Sequence, residues 1–282
     1  MKIGKYKLEI ISSGMFALDG GAMFGIIPKP LWEKTNPADD QNRIPLATRN
    51  LLLISENRKI LIDTGMGAKW DEKSRDIYKI DQPPGGILDA LKNSGANPDD
   101  ITDVLLTHLH FDHTGGSTVY ENGKLLPAFK NAKYYVQEKN FKWGMNPSGR
   151  DKGSYIKDNF EPIAKENLFS FNNEDNLIFD DEIELYPVHG HTYSQQLIKI
   201  SDGSTTLFYC GDLFPTASHI PLPYIMGYDL QPLITLHEKE AVLKKAVDES
   251  WYLFFEHDPV TAFAKVEATP KGFKAGEKFA SF

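Results

Sequence analysis

From Asp103 to Gly116 the chain reads Asp-Val-Leu-Leu-Thr-His-Leu-His-Phe-Asp-His-Thr-Gly-Gly, an apolar run that ends in four metal-capable side chains, His108, His110, Asp112 and His113. At strand spacing His108 and His110 project to the same side, and the turn that follows can swing Asp112 and His113 around a second centre. Imidazole nitrogen and carboxylate oxygen are donors that suit zinc, at bond lengths of about 2.0–2.2 Å. Any one of these histidines is as readily an ordinary surface residue; the whole pattern at a strand end is not. Three later residues have the same context, since His191, Asp212 and His257 each follow an apolar, strand-like run. Strand ends are where a sheet can present several side chains to one point.

The remaining numbers narrow the setting. The 282 residues carry 31 Lys and Arg against 39 Asp and Glu, a formal net charge of −8, which does not favour a nucleic-acid footprint. Cys210 is the single cysteine, so neither an intramolecular disulfide nor a thiolate zinc site is available. Charges break up the first ten residues too often for a secretory signal. Apolar runs such as 251–255 fall far short of the ~20 residues of a membrane span. The expectation is a cytoplasmic protein that engages neither membrane nor nucleic acid.

Short runs rich in Ile, Val, Leu and Tyr, bounded by Gly, Asn, Asp or Pro, predict strands at 8–11, 51–54, 60–63, 104–107, 133–136, 183–188, 196–200, 206–210 and 251–256. A helix is expected over 87–93, stopped by Ser94-Gly95. Thr235 and Glu238 have capping-box spacing ahead of a second helix. Strands grouped early and late, with few helices between, suggest an α/β chain of two sheets with helices outside. Two proline-rich stretches, 22–48 and 213–234, hold large apolar residues and read as binding loops. Phe24, Ile26, Ile27 and Trp32 from one, and Phe214, His219, Tyr224, Met226 and Tyr228 from the other, are the expected walls of a substrate pocket.

The histidine motif, with Ile62-Asp63-Thr64-Gly65, Gly190-His191-Thr192, Cys210-Gly211-Asp212 and Phe255-Glu256-His257-Asp258 following in order, resembles the metallo-β-lactamase superfamily over most of the chain. The resemblance implies a four-layer αββα sandwich, with residues 1–282 as a single hydrolase domain. It implies that His108, His110 and His191 hold one divalent ion, that Asp112, His113 and His257 hold a second, and that Asp212 bridges them. His191 is preferred over its neighbour His189 because the Gly-His-Thr match falls on it. Asp63 would orient ligands by hydrogen bonds. Zinc is the expected metal, although manganese, iron or cobalt accept the same donors.

The reaction implied is hydrolysis by a metal-bridging hydroxide, with Asp112 as the catalytic residue that orients it and shuttles a proton. Tyr193, Tyr224 and Tyr228 are candidates to stabilise the oxyanion. Class B1 β-lactamases place a cysteine where Asp212 stands, and the diiron redox branch has Glu where His110 stands. The nearest resemblance is to quorum-quenching lactonases and methyl parathion hydrolase-like enzymes. One detail departs from the lactonases, which carry a tyrosine a few positions after the bridging aspartate; here Leu-Phe-Pro-Thr follows Asp212. The expected partner is a small-molecule lactone or other carboxylic ester, and assembly as a homodimer stays open. The alternatives are a phosphoester or glyoxalase-II-like thioester hydrolase and, from another class, an iron-dependent sulfur dioxygenase.

Overall fold

The computed structural model describes residues 1–174 and 177–282. It folds as two compact units: Met1–Gly14 with Thr48–Leu177, and Met15–Ala47 with Ile178–Phe282.

The main sheet of the first unit is built from β1 (Lys2–Ile3), β2 (Tyr6–Asp19), β3 (Arg43–Ile54), β4 (Lys59–Ile62) and β5 (Asp103–Leu105). A separate hairpin, β6 (Thr118–Glu121) and β7 (Lys124–Pro127), precedes the sheet's last two strands, β8 (Lys133–Gln137) and β9 (Phe169–Asn172). Strand order is β1-β2-β3-β4-β5-β8-β9, and residues 15–19 of β2 and 43–47 of β3 belong to the second unit. β4, β5, β8 and β9 run parallel, so their carboxyl ends share one edge. Helix Ile87–Asn93 buries Ile87, Ala90 and Leu91, the i, i+3, i+4 stripe of an amphipathic helix, in a core with Leu61, Val104 and Tyr134.

The second unit's sheet runs in sequence order: β10 (Ile183–Val188), β11 (Gln195–Ser201), β12 (Thr206–Tyr209), β13 (Tyr252–Phe254), β14 (Phe263–Thr269) and β15 (Gly272–Phe279). β10 and β12 are both antiparallel to β11, and β12 is parallel to β13. The carboxyl ends of β10, β12 and β13 therefore lie at one edge, each just before a sequence-identified donor. Helix Pro232–Asp248 buries Thr235, Lys239, Val242, Leu243 and Ala246 along one face, in a core with Val188, Leu197, Phe208 and Leu253. No helix among the described residues is long and apolar enough to cross a membrane.

All nine expected strand runs fall in or beside observed strands, and the helix over 87–93 has those limits. Two expectations are corrected. The second helix begins at Pro232, three residues before Thr235, with proline at the first helical position, where its missing N–H costs nothing. Thr235–Glu238 is thus not a capping box. The stretch 22–48 is only partly a loop: it contains helix Lys29–Trp32 and the start of β3, and Phe24 and Trp32 are fully buried.

Phe24 lies between the Trp32 ring (5.3 Å, 8° between planes) and the His219 ring (4.6 Å, 7°), so both its faces are covered. Phe24→Ala is therefore expected to lower the unfolding free energy by about 3–5 kcal/mol. Ile26→Ala, at a side chain 91% exposed, should change it by less than about 0.5 kcal/mol. Urea denaturation of the two variants checks the contrast.

Candidate metal centre

In the first unit, the segment after β5 carries His108, His110, Asp112 and His113, and the turn after β4 carries Asp63. All five are buried. Backbone hydrogen bonds join the two segments: Asp63 N–H donates to Leu105 O (3.0 Å) and Thr64 N–H to His113 O (2.8 Å). A Cβ on Gly115 would overlap the Met66 carbonyl, so the segment approaches the Asp-Thr-Gly turn this closely only with glycine there.

Asp63 sets the tautomers around it. Its carboxylate accepts from Thr107 N–H (2.7 Å), from the Thr107 hydroxyl (2.7 Å) and from His113 Nδ1 (3.0 Å). The Thr107 hydroxyl has one proton and gives it to Asp63, so its oxygen accepts from His108 Nδ1 at 3.0 Å. Both His108 and His113 are then protonated at Nδ1 and carry a lone pair at Nε2. His108 Nε2 lies 2.9 Å from His110 Nδ1, and His113 Nε2 lies 3.9 Å from an Asp112 oxygen.

The second unit repeats the pattern. His191 follows β10, Asp212 lies in the helical turn Gly211–Leu213 after β12, and His257 follows β13; all three are buried. His191 Nδ1 donates to Asp229 at 2.8 Å, and His257 Nδ1 donates to the Ala47 carbonyl at 2.8 Å. A carbonyl can only accept, so the proton of His257 is on Nδ1. The two Nε2 atoms face Asp212, His191 at 3.2 Å from one oxygen and His257 at 3.3 Å from the other. Lone pairs aimed at a carboxylate repel unless a positive charge joins them. A divalent cation meets that requirement with the donor types zinc takes, and the residues fit such an ion. His189 is turned elsewhere, its Nδ1 at 3.4 Å from the Ser194 hydroxyl.

The expected pocket residues divide. Phe24, Trp32, Phe214 and His219 are interior side chains rather than open walls, a correction to the sequence reading. Met226 is also buried, Ile27 and Tyr224 are half-buried, and Ile26, Tyr193 and Tyr228 are exposed. The proline-rich segments looked open because nothing local in them reveals the ring stack that closes over Phe24.

The sequence reading missed an aromatic group beside Asp112. Trp70 and Tyr78 pack on each other (5.5 Å between centroids) and on Phe111 (5.4 and 5.2 Å). Burial and the nearby Asp112 charge raise the Tyr78 pKa. The available signal was two large aromatics, Trp70 and Tyr78, between the Asp-Thr-Gly turn and the next core helix. The role of Asp229 as the partner of His191 is likewise not visible in the sequence, because the bond spans 38 residues.

His219 is an interior residue with a consequence for stability. Its Nε2–H donates to Met23 O (2.9 Å), its Nδ1 accepts from the Thr216 hydroxyl (2.8 Å), and burial holds its pKa down to about 3. Below about pH 6.5 the unfolded chain takes a proton that the native imidazole refuses, so stability present above that pH is lost as pH falls toward 3. One such group accounts for about 1.4 kcal/mol per pH unit. His219→Phe should show a shallower loss of stability between about pH 6 and about pH 4 in urea titrations. An unchanged slope would assign the acid sensitivity to other groups.

Known proteins are similar to this chain in sequence and in fold. A family model described as the metallo-beta-lactamase superfamily matches residues 45–257. The N-acyl homoserine lactonase AttM of Agrobacterium fabrum is 32% identical over 255 residues, 87% of each chain. A "probable metallo-hydrolase" of Methanocaldococcus jannaschii is 30% identical over 150 residues, and the match spans 52% of that protein. Among solved structures, a "probable metal-dependent hydrolase" from Staphylococcus aureus superposes with a TM-score of 0.89 at 29% identity, covering 99% of this chain and 98% of the other. AidC, a dizinc quorum-quenching lactonase, superposes with a TM-score of 0.81 at 23% identity, covering 99% and 97%, a likeness of fold.

Proposed function

The chain belongs to the metallo-β-lactamase superfamily and is a metal-dependent hydrolase; we propose that it is dinuclear and opens a lactone or cleaves another carboxylic ester. One observation carries this reading: His108, His113, His191 and His257 each commit Nδ1 to a fixed partner, so Nε2 is the nitrogen each can offer to a metal. In the proposal, His108, His110 and His191 would hold one ion, Asp112, His113 and His257 would hold the other, and Asp212 would be shared by both. Residues 1–282 then work as a single catalytic domain. Zinc is the proposed metal, on the donor set and on the description of AidC as a dizinc enzyme.

Two such ions supply Lewis acidity toward the substrate carbonyl and a water acidic enough to attack near neutral pH. Asp112, with residual exposure of 7%, takes the proton released on attack and returns it to the leaving alkoxide. Trp70, Tyr78 and Phe111 present an apolar aromatic surface next to that carboxylate, suited to an acyl chain and to excluding bulk water. Asp63, Asp229 and the Ala47 carbonyl keep the imidazoles in the tautomer the site requires. The substrate class rests on AttM, named as an N-acyl homoserine lactonase.

The test is hydrolysis of N-acyl homoserine lactones followed by proton release. A strong chelator should abolish it and zinc restore it. Asp112→Asn should lower kcat by about two orders of magnitude while most of the metal is retained; near-normal turnover would remove Asp112 from the proton-transfer role. For a series of acyl lengths, kcat/KM should rise with each CH₂ that the site buries, by up to about 0.8 kcal/mol, and Trp70→Ala should flatten the rise. Cleavage of phosphotriesters or glutathione thioesters with no action on lactones would overturn the ester reading and leave the metal-hydrolase reading in place.

A further inference from the structure

Five hydrogen bonds hold the backbone around His191, and all five come from the segment 230–238. The Glu238 carboxylate accepts from His189 N–H (2.6 Å) and Gly190 N–H (3.0 Å). Gln231 donates its side-chain amide to His189 O (2.9 Å) and its backbone N–H to Gly190 O (2.8 Å), and Leu230 N–H donates to His191 O (3.1 Å). The contact is close enough that a Cβ on Gly190 would overlap Thr235. Glu238 sits two turns into its helix, and burial raises its pKa. A carboxylate is costly in such a place unless it binds something, and what it binds is the turn that carries His191.

The next residue, Lys239, grips a different loop. Its ammonium, with the side chain fully buried, donates to the carbonyls of Pro221 (3.1 Å), Leu222 (3.3 Å) and Tyr224 (2.7 Å). Three acceptors match the three N–H groups of an ammonium. Five residues beyond Tyr224 the same loop delivers Asp229, whose carboxylate takes the Nδ1 proton of His191. Adjacent residues of one helix thus fix both determinants of one imidazole: the backbone it hangs from and the group that sets its rotation and tautomer.

We propose that Glu238 and Lys239 form a two-sided clamp that positions His191. Glu238 holds the turn 189–191, and Lys239 holds the loop 221–229 so that Asp229 stays within bonding distance of Nδ1. The inference rests on the metal-hydrolase reading only where it takes His191 as a ligand.

The experiment compares Glu238→Gln and Lys239→Met with Leu243→Ala, a core variant of the same helix whose side chain can make no hydrogen bond to either loop. Zinc affinity is measured by competition with a chromophoric chelator. The His191 ring is followed by ¹⁵N-detected imidazole correlations in the metal-free protein. The clamp predicts a loss of tenfold or more in zinc affinity for both clamp variants, with a shifted or broadened Nδ1–H signal. Leu243→Ala should lose thermal stability and keep both readouts. Unchanged affinity and an unchanged His191 signal in Glu238→Gln and Lys239→Met would overturn the clamp, as would equal effects in Leu243→Ala. Gln231→Leu, which removes only the side-chain bond to His189 O, replaces any clamp variant that does not fold and carries the same expectation for the imidazole signal. If the wild type binds no zinc, the metal reading fails, and the imidazole arm still decides on the clamp.

Discussion

The structure around the candidate site depends on where four protons are. A neutral imidazole has one N–H and one lone pair, and which nitrogen faces a metal is decided by what the other nitrogen touches. Here Asp63 and Thr107 take the Nδ1 protons of His113 and His108, Asp229 takes that of His191, and the Ala47 carbonyl takes that of His257. Each bond turns an Nε2 lone pair inward. Two of those Nε2 atoms face opposite oxygens of the Asp212 carboxylate, an arrangement that a positive charge between them stabilises.

Fixing these acceptors accounts for much of the local architecture. Asp63 ends β4 in the left-handed region (φ 53°), strained for a non-glycine residue, and its three accepted hydrogen bonds hold it there. The Ala47 carbonyl lies in β3, tied again by Ala47 N–H to His257 O at 3.0 Å. Asp229 sits on a loop with little regular structure, and the buried ammonium of Lys239 supplies the order that the loop lacks. Burial pushes the pKa of that ammonium down to about 7, while the Asp229 charge holds it up.

The donors themselves were readable because metal chemistry restricts residue type and because each donor sits just past an apolar strand. The strand runs were readable because buried strands are rich in Val, Ile, Leu and Tyr between turn residues. β14 and β15 went unread because lysine, glutamate, alanine and glycine interrupt their apolar residues, leaving no run of large aliphatics. Phe24 and Trp32 looked like pocket walls because a proline-rich segment gives no local sign of what covers it. Glu238 was read as a cap for its own helix, yet it binds amides 48 and 49 residues away. Contacts of that separation have no periodicity to reveal them; the Asp229 bond to His191 is of this kind, whereas Asp63 was legible through its Asp-Thr-Gly turn.

The most direct measurement is anomalous diffraction from zinc-loaded crystals, recorded on both sides of the zinc absorption edge. Two peaks about 3.5–4 Å apart are expected. One should lie against His108 Nε2, a ring nitrogen of His110 and His191 Nε2, the other against Asp112, His113 Nε2 and His257 Nε2, with Asp212 between them. A single peak, or peaks bound through the Nδ1 atoms of His108, His113, His191 or His257, would contradict the account.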